Sequence, residues 1–496
     1  MGFALFRCDA SAAIGGGHVM RCLTLAHALT LRNWNCVMAA QPETATVVPE
    51  IAQYPVVVLP EAGVTAEIDA MARAAPAGCD LVVVDHYSRD VAFHRACRRF
   101  SRSILVMDDL ADRRYDCDIL LDQTMTHQEM HYRPLVPAEC ELLLGPSYAL
   151  LRPEFAAMRQ AALARRSQAK PVRRILVSFG SVDSQGLGAR MTRALLPLMP
   201  DVVFDLAGSF GSDISGLVSD FPGRVIAHGR VNGMATLMAE ADLAIGAGGI
   251  TSWERCALGL PSAVVVISEN QDASSQQLEQ QGAILLLGKL SNLDFSDAAR
   301  RVVELTSSAE ALRKMSCAAA SIADGLGIGR VLNEIDPPRT RLGVPIRLRP
   351  VRDEDIDILF AWQTEGAARI YTRNPAPPTR AEHIEWFRKR NASSSGLFAI
   401  IRHGAIDCGV IRCDPAGDGA FEVTIMIAGL HRGRGIAVPA LLAAAAKMAP
   451  APLLAEIHAD NEPSRRAFLA AGFVQRSVNQ FILHGPGMTR SDTAVV

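Results

Sequence analysis

The sequence lacks the features that mark disulfide-rich, nucleic-acid-binding and membrane-spanning proteins. Its 11 cysteines are scattered without a C-x-x-C pair, which argues against a disulfide framework or a zinc site and suits a reducing compartment. Lys and Arg total 50 against 52 Asp and Glu, so no overall positive field exists to attract nucleic acid. The longest apolar run, 438–446, is far too short to cross a bilayer, and the apolar start is interrupted at Arg7 and Asp9, unlike a signal peptide. We therefore expect a cytoplasmic protein with no nucleic-acid or membrane partner.

The alternation of apolar runs and helical patterns predicts about three domains in the 496 residues. Up to about residue 335, runs of strand length alternate with amphipathic stretches, which is typical of parallel sheets covered by helices. A basic, helix-prone stretch ends at Pro171, and Pro337 and Pro338 mark a linker before the pattern changes. The predicted segments are an N-terminal lobe (1–165), a second lobe (166–335), a linker (336–345), a third domain (346–484) and a polar tail (485–496).

The predicted strands define the fold class as α/β, with two doubly wound, Rossmann-like lobes followed by an α+β domain. Residues 346–355 alternate like a strand and lead into an acidic helix start, and 422–427 reads as a second strand of the third domain. In the two lobes, the predicted strands are 3–6, 56–59, 81–84, 103–107, 119–121, 174–178, 202–206, 243–245, 262–266 and 284–287.

The segment from residue 7 to residue 21 joins a candidate anion site to a candidate base. Gly15, Gly16 and Gly17 follow the first strand, and His18 opens a helix whose apolar residues recur at helical spacing. Such a turn offers bare backbone amides and the positive end of a helix to an anion, and histidine exchanges a proton near neutral pH. A structural turn with a capping histidine fits the same pattern.

Over residues 7–26 the sequence resembles the UDP-2,4-diacetamido-2,4,6-trideoxy-β-L-altropyranose hydrolases of pseudaminic acid biosynthesis. The family's hallmark, R-x-D-A-S-x-x-I-G-x-G-H-V-M-R-C-L-T-L-A, runs here from Arg7 to Ala26. The resemblance implies two GT-B-like lobes facing across a cleft, a UDP-linked amino sugar as substrate, and no cofactor for hydrolysis. It also implies that His18 is the catalytic base and that Arg7, Asp9 and Gly17 bind the substrate.

Asp85 and Tyr87 follow the predicted strand 81–84, at a position where open α/β sheets bind ligands. The resemblance implies that an acidic residue and a tyrosine here line the sugar site, so we assign both to the catalytic set. His86 facing solvent and Tyr87 packing locally is the open alternative for this stretch.

Three carboxylates, Asp108, Asp109 and Asp112, follow the predicted strand 103–107 and match the family's D-D-L-A-D-R. Although three acidic residues in five positions could bind a metal, we predict no metal site. Instead we expect a turn tied together by Asp109, Asp112 and Arg113.

A glycine-rich turn in the second lobe predicts a nucleotide site. Residues 246–254 follow the strand 243–245 and open a helix, so that backbone amides and nearby hydroxyls can hold a diphosphate. Glu254 can accept both hydroxyls of a ribose, or it can be a helix-start carboxylate that the helix dipole favours. The resemblance adds an Asn-Gln pair facing the sugar. The predicted substrate-binding residues of this lobe are Gly248, Gly249, Thr251, Glu254, Asn270 and Gln271.

One segment of the second lobe departs from the family pattern. The family has a glycine pair and D-P-x-N after the strand 174–178, whereas this chain has Ser181 in place of the second glycine and Ser184 in place of the proline. A side chain thus stands where bare backbone would approach the nucleotide. This departure bears on tight UDP binding and not on the fold.

The third domain resembles the GNAT acetyltransferases. Its R-x-x-G-x-A motif, 432–437, lies between a strand and a helix, and N-x-x-S (461–464) and the pair Gly472-Phe473 follow at the family's spacing. Successive amides at a helix start can hold the pyrophosphate of acetyl-CoA. The predicted cofactor-binding residues are Arg432, Gly433, Arg434, Gly435, Ala437, Asn461 and Ser464.

The catalytic half of this domain is less complete than its cofactor half. GNAT enzymes often have a tyrosine that protonates the leaving thiolate, and Phe468 stands at that position. Glu422 is a candidate base, with an exposed surface carboxylate as the alternative.

Together these motifs predict a bifunctional enzyme with UDP-linked amino sugars and acetyl-CoA as ligands. The first two lobes would release free sugar and UDP, and the GNAT domain would acetylate the preceding UDP-4-amino sugar. A GT-B-type glycosyltransferase and a non-catalytic nucleotide-sugar sensor remain alternatives. The sequence leaves the oligomeric state and the exact sugar stereochemistry open.

Overall fold

The computed structural model describes residues 2–484 except for 12–13, 62, 169, 181, 184, 211–212, 230, 232, 367–368, 392–395 and 418. The two serines at which the chain departs from the family pattern, Ser181 and Ser184, and the predicted tail 485–496 therefore lie outside the described residues. The chain divides into two compact units, the first ending at Ile328 and the second beginning at Gly329.

The N-terminal lobe of unit 1 is built on a parallel sheet whose strands are β1 (Phe3–Cys8), β2 (Asn35–Ala40), β3 (Val56–Val58), β4 (Cys79–Asp85), β5 (Ser101–Met107), β6 (Ile119–Asp122) and β7 (Glu141–Leu144). The strand order is β3-β2-β1-β4-β5-β6-β7. The order reverses between β1 and β4, so that a crevice opens beyond the carboxyl ends of these two strands.

Helices connect these strands and cover the sheet, and α1 connects β1 to β2. Asp90 begins α4 by accepting hydrogen bonds from the amides of Ala92 and Phe93. The helices are α1 (Gly17–Thr30), α2 (Thr44–Val47), α3 (Val64–Ala74), α4 (Val91–Cys97), α5 (Glu129–Tyr132) and α6 (Pro153–Arg166).

The second lobe repeats this architecture with strands β8 (Arg174–Ser178), β9 (Val182–Asp183), β10 (Val203–Ala207), β11 (Ser209–Phe210), β12 (Val225–Gly229), β13 (Leu243–Ala247), β14 (Ser262–Val266) and β15 (Leu285–Lys289). Its six-stranded parallel sheet has the order β12-β10-β8-β13-β14-β15, and β9 pairs with β11 separately. The order reverses between β8 and β13, which places the turn after β13 at the crevice. The helices are α7 (Leu187–Leu195), α8 (Asp213–Asp220), α9 (Met234–Glu240), α10 (Thr251–Ala257), α11 (Asp272–Gln280), α12 (Phe295–Thr306) and α13 (Ala309–Ile322). The next helix, α14 (Gly327–Ile335), contains the residues at which the chain divides into the two units.

The stretch Ala309–Ile335 is, by length and composition, apolar enough to cross a membrane. The structure breaks it into α13 and α14, and Leu312 and Ala319 lie in the two hydrophobic cores that flank the second sheet. One such stretch is weak evidence for a membrane span, because core helices of soluble proteins have the same composition.

Unit 2 contains a mixed sheet with strands β16 (Ile346–Pro350), β17 (Leu397–His403), β18 (Ile406–Pro415), β19 (Phe421–Ile427), β20 (Leu453–Glu456), β21 (Val474–Gln475) and β22 (Gln480–Leu483). The order is β16-β17-β18-β19-β20-β22-β21, and only β19 and β20 are parallel neighbours. Their pairing is limited to Phe421 with Leu453 and Glu422 with Leu454. The helices are α15 (Ile356–Thr364), α16 (Arg380–Asn391), α17 (Ala437–Met448) and α18 (Glu462–Ala470).

The predicted fold class is confirmed: two Rossmann-like parallel sheets precede a mixed-sheet α+β domain. All 11 cysteines are free, ten of them are buried, and Cys317 on α13 is exposed.

Candidate functional site

His18 lies in the first turn of α1, where the N-terminal lobe approaches the second lobe. The preceding turn is closed by a hydrogen bond from the Gly15 amide to the Ser11 carbonyl (2.8 Å), and Gly15 has a φ of +72°. At Gly17 a Cβ atom would lie 3.3 Å from Cδ1 of Ile250, in the turn after β13. Glycine thus allows the histidine turn and the predicted nucleotide turn to meet.

The His18 ring is fixed by a carboxylate at the end of β4. His18 Nδ1 lies 2.6 Å from Asp85 Oδ1, and both side chains are almost completely buried. Arg21, one turn further along α1, donates to the same carboxylate from Nε (2.5 Å) and Nη2 (2.6 Å). Sequence reasoning assigned no role to Arg21, although its i+3 spacing from His18 places both on one helix face.

This arrangement sets the protonation states that the site can use. Burial opposes ionisation of Asp85, but the charges and hydrogen bonds of Arg21 and His18 outweigh it and hold the pKa of this carboxyl well below its usual range. An ionised carboxylate only accepts hydrogen bonds, so Nδ1 of His18 carries the proton that it donates to Asp85. The other ring nitrogen, Nε2, is then the one that can remove a proton from a ligand.

Tyr87 and Asp109 complete one wall of this site. The Tyr87 ring packs edge-on against His18, with centroids 4.6 Å apart and an interplanar angle of 88°. Its hydroxyl donates to Asp109 Oδ2 (3.1 Å) and accepts from Asn270 Nδ2 of the second lobe (3.2 Å). The structure therefore joins the predicted residues His18, Asp85, Tyr87 and Asn270 in one site.

The prediction that Asp109 ties the turn after β5 is wrong. Asp108 does so, because its Oδ2 accepts from the amides of Leu110 and Ala111. Arg113 bonds to Asp112 (2.7 Å) and Asp108 (2.9 Å), in agreement with the rest of that prediction. Across the described part of the chain, no group of three or more His, Cys, Asp or Glu side chains forms a candidate metal site.

Arg7 lies behind the crevice and not in it. Its side chain has no exposed surface and forms ion pairs with Glu67 and with Asp9 (2.8 Å). Asp9 also accepts from the Gln41 amide (2.8 Å) and lies 3.3 Å from His86 Nε2. Burial raises the pKa of Asp9, but hydrogen bonds to His86 and the Arg7 charge hold it well below its usual range. Arg7 can therefore position Asp9, while direct contact with a substrate would require it to move.

The turn after β13 is held by Gln271. Its Oε1 accepts from the amides of Gly248 and Ile267, each at 3.2 Å, so Gln271 clamps the turn from within the lobe. This use of Oε1 contradicts a direct role for that atom on the sugar, since it already serves two amides. The Gly248 amide is committed inside the protein as well, which leaves Gly249 as the glycine of the pair that a diphosphate can approach.

Glu254 and Thr251 lie on α10, directly after this turn. Glu254 Oε1 is 3.8 Å from Arg152 Nη2, and burial raises the pKa of Glu254. Arg255 on the same helix donates to the Ala247 carbonyl (2.8 Å) and to Ser252 (2.9 Å), which ties the helix back to β13. The carboxylate at residue 254 is thus partly enclosed beside an arginine, and a role on the ribose stays a prediction.

Gly246→Ala should destabilise unit 1 far more than Gly249→Ala. A Cβ at residue 246 would lie 2.1 Å from the Ser178 carbonyl oxygen on β8, whereas at residue 249 the nearest atom is 3.8 Å away. Because a strand carbonyl cannot rotate away, we expect a cost of about 3 kcal/mol at residue 246 and little at residue 249. Calorimetric melting of the two variants measures the difference, and equal melting temperatures would contradict it.

In unit 2 the predicted cofactor turn lies between β19 and α17. Gly433 and Gly435 have φ values of +75° and +72°, and no atom lies within 4 Å of a Cβ built on either. Arg432 is fixed by a hydrogen bond from Nε to the Ile427 carbonyl (3.1 Å). The open backbone at the start of the 12-residue helix α17 fits a pyrophosphate, with Arg432 and Arg434 beside it.

The N-x-x-S motif at 461–464 also stabilises the fold of unit 2. Asn461 caps α18, since its Oδ1 accepts from the Ser464 amide (3.2 Å). Phe468 is buried in the core of the unit and packs edge-on against Phe473 with centroids 4.8 Å apart. The aromatic ring at residue 468 is therefore a packing residue.

The start of β19 carries the candidate base Glu422. Its carboxylate is 2.7 Å from Arg373 Nη2, and the same guanidinium forms an ion pair with Glu456 at the end of β20. Glu422 is thus neither a fully exposed nor a deeply buried carboxylate. It belongs to an ion-pair network with Arg373 and Glu456, at the point where β19 and β20 stop pairing.

A comparison with protein families identifies the domain in unit 2. Residues 346–474 match the family profile described as the acetyltransferase (GNAT) domain. The chain therefore contains a C-terminal GNAT acetyltransferase domain, and such a domain implies the use of acetyl-CoA.

Curated relatives cover different shares of the chain. The UDP-2,4-diacetamido-2,4,6-trideoxy-beta-L-altropyranose hydrolase of Campylobacter jejuni is 31% identical over 151 residues, which are 30% of this chain and 52% of that protein. The spore coat polysaccharide biosynthesis protein SpsG of Bacillus subtilis is 30% identical over 167 residues, 32% of this chain and 48% of that protein. The chain thus spans about half the length of each. The uncharacterized protein MJ1062 of Methanocaldococcus jannaschii is 22% identical over 443 residues, 86% of this chain and 87% of that protein, so this similarity extends into both units.

Solved structures are similar at low identity. MurG of Acinetobacter baumannii covers 68% of this chain and 99% of its own with a TM-score of 0.49 and 17% identity. The calicheamicin glycosyltransferase CalG4 covers 68% and 98% with a TM-score of 0.43 and 17% identity. A spermidine N-acetyltransferase of Vibrio cholerae covers 28% and 91% with a TM-score of 0.25 and 15% identity. The chain combines two lobes built on parallel sheets with a GNAT domain, and about a third of the chain is distantly similar to the Campylobacter hydrolase and to SpsG.

Proposed function

We propose that unit 1 hydrolyses UDP-2,4-diacetamido-2,4,6-trideoxy-β-L-altropyranose to the free sugar and UDP. The observation that carries the proposal is the buried arrangement of His18, Asp85 and Arg21, which orients a histidine base beside the second-lobe turn at Ile250. The similarity to the Campylobacter hydrolase supports this choice of substrate. Substrate contacts at Asp9, Gly249, Thr251, Glu254 and Asn270, and the cytoplasmic location, are part of the proposal.

The proposed reaction needs only water as its second reactant. His18 Nε2 takes a proton from water while the water oxygen bonds to the anomeric carbon. The bond between that carbon and the diphosphate oxygen breaks, and UDP leaves with the electron pair, its charge stabilised by amides of the turn at Gly249. Attack from the face opposite UDP inverts the anomeric configuration. The proton on His18 then passes to solvent.

For unit 2 we propose N-acetylation of the UDP-4-amino sugar that precedes the hydrolase substrate. When bound, acetyl-CoA supplies the activated acetyl group. The turn with Gly433 and Gly435 would hold its pyrophosphate, with Arg432 and Arg434 beside it. As the amine nitrogen bonds to the acetyl carbon, the bond from that carbon to the CoA sulfur would break, Glu422 would accept the proton that the amine gives up, and the CoA thiolate would leave with the electron pair and take a proton from solvent.

Mass spectrometry of the products tests both halves of the proposal. The full chain is incubated with a UDP-4-amino sugar and acetyl-CoA, and we expect free acetylated sugar, UDP and free CoA thiol. UDP release that depends on an added sugar acceptor would instead support a glycosyltransferase. Binding of both ligands with no turnover of either would contradict the enzyme proposal and favour a sensor.

Gly435→Val should remove acetyl-CoA binding while unit 2 stays folded. The substitution fills the open cradle and strains a left-handed backbone position (φ +72°). Gly419→Val is the matched control, because Gly419 has the same strain (φ +73°) and the same open space in the turn before β19. Calorimetric titration should show acetyl-CoA affinity at least about tenfold weaker for Gly435→Val and unchanged for Gly419→Val. Equal losses would show that backbone strain alone is responsible.

A further inference from the structure

We propose that Asp109 is a positioning residue of the hydrolase site, which fixes Tyr87 against the His18 ring and balances the charge of His18 when that ring is protonated. The inference rests on the proposed function of unit 1. It assigns a role to a carboxylate that the sequence had placed in a turn.

The positioning role follows from the hydrogen bonds of Tyr87. The hydroxyl donates to Asp109 Oδ2 and accepts from Asn270, so its direction is set from both lobes. The ring so held packs edge-on against His18, which Asp85 holds at Nδ1. Asp109 thus acts on the base through Tyr87, and the chain of contacts crosses the crevice.

The electrostatic role follows from the charges that surround His18. The charged and titratable groups near His18 lie on three elements. They are Arg21 and the Cys22 thiol on α1, Asp85 and Tyr87 at the end of β4, and Asp108 and Asp109 in the turn after β5. The charge of Asp108 is neutralised by an ion pair with Arg113, whose Nη2 lies 2.9 Å from Asp108 Oδ1. The remaining charges of Arg21, Asp85 and Asp109 sum to minus one, so the group becomes neutral when His18 gains a proton.

Two properties of Asp109 fit this assignment. Its Oδ1 is buried and makes no hydrogen bond with any residue that the structure describes. Burial raises the pKa of Asp109, although the nearby Arg21 and His18 favour its charged form. A buried, incompletely bonded carboxylate is unfavourable for stability, which is a common cost at sites arranged for chemistry.

Asp109→Asn tests the inference, with Asp112→Asn as the control from the same turn. Asp112 is largely exposed and bonds only to Arg113 among the described contacts. We expect Asp109→Asn to slow UDP release about tenfold or more and to move the acid limb of the pH profile to lower pH by up to about one unit, because a negative charge near the base is lost. Asp112→Asn should change neither, and Tyr87→Phe should slow release without moving the limb.

Melting curves separate this role from a structural one. Because the raised pKa of Asp109 means that its ionised form is disfavoured in the folded protein, stability is lost as the pH rises through that pKa. Asp109→Asn should therefore melt no lower than wild type at pH 7. The melting temperature of this variant relative to wild type should fall below about pH 4, where the unfolded carboxylate is protonated too. A variant that melts lower in step with its loss of rate, or one with wild-type rate and pH profile, overturns the inference.

A wild-type protein that releases no UDP from any UDP-sugar would overturn the proposed function alone. The inference is then decided by NMR of ring-labelled histidine, with the His18 signal identified from a His18→Gln variant. We expect the His18 ring to gain its proton at a pH about one unit lower in Asp109→Asn than in Asp112→Asn. Identical titrations of the two variants overturn the inference.

Discussion

His18→Ala is expected to slow UDP release by about 10²–10⁴-fold, the range that a lost general base commonly costs. Asp85 keeps its two hydrogen bonds from Arg21 in this variant, so the buried ion pair persists and the lobe should remain folded. His27→Ala is the matched control, because His27 is an exposed histidine on the same helix. The measurement is the steady-state rate of UDP formation with the UDP-sugar alone, together with a melting curve for each variant.

Two outcomes would contradict the assignment of His18. Hydrolysis at the wild-type rate in His18→Ala would show that another group activates the water. An equal loss in His27→Ala would show that the helix, and not the ring at its first turn, is what matters. Loss in His18→Ala with an unchanged melting curve is the expected result.

Asp85→Asn is expected to lower both the rate and the stability. The neutral amide cannot stabilise the protonated ring of His18, so UDP release should fall by roughly 10³–10⁴-fold. It also leaves the buried Arg21 guanidinium without its carboxylate partner, which should reduce the free energy of unfolding by about 3–5 kcal/mol. Asp80→Asn is the control on the same strand, since Asp80 pairs with the exposed Arg102 and should change stability by less than about 1 kcal/mol.

The stability difference between Asp85→Asn and wild type should depend on pH in one direction. The pKa of Asp85 is lowered in the folded protein, so its contribution is complete above the ordinary carboxyl pKa of about 3.9. It is lost progressively as the pH falls from that value through the lower, folded-state pKa. We expect a constant difference in melting temperature between pH 5 and 8 that narrows below about pH 4. A difference that grows on acidification would contradict an ionised Asp85.

The sequence predicted the positions of most strands along the chain, because long apolar runs define buried parallel strands. All ten predicted strands of the two lobes correspond to strands of the structure. Five were missed: the two-residue strands β9 and β11, and the longer strands β2, β7 and β12 (Asn35–Ala40, Glu141–Leu144 and Val225–Gly229). Each of the three longer strands contains polar or small residues and lies at or near a sheet edge, where one-sided exposure dilutes the apolar pattern.

The candidate site could be predicted only in outline. The strand ends and glycine turns located Asp85, Tyr87 and the turn at Gly248, because ligands bind where strand order reverses. The partners could not be read from the chain: Asp85 lies 64 positions from Arg21, and Asn270 lies 183 positions from Tyr87. That Gln271 Oε1 accepts from two backbone amides depends on packing in three dimensions.

The burial of the cysteines provides an intrinsic probe of local opening. In the native protein, only Cys317 on α13 is exposed to a thiol reagent, so brief labelling should modify a single site. The buried thiols can react only when the structure around them opens. Cys408 and Cys413 belong to unit 2 and the other eight buried thiols to unit 1. Peptide mapping of slow labelling would therefore report the opening of each unit separately, in the full-length chain and without an added dye.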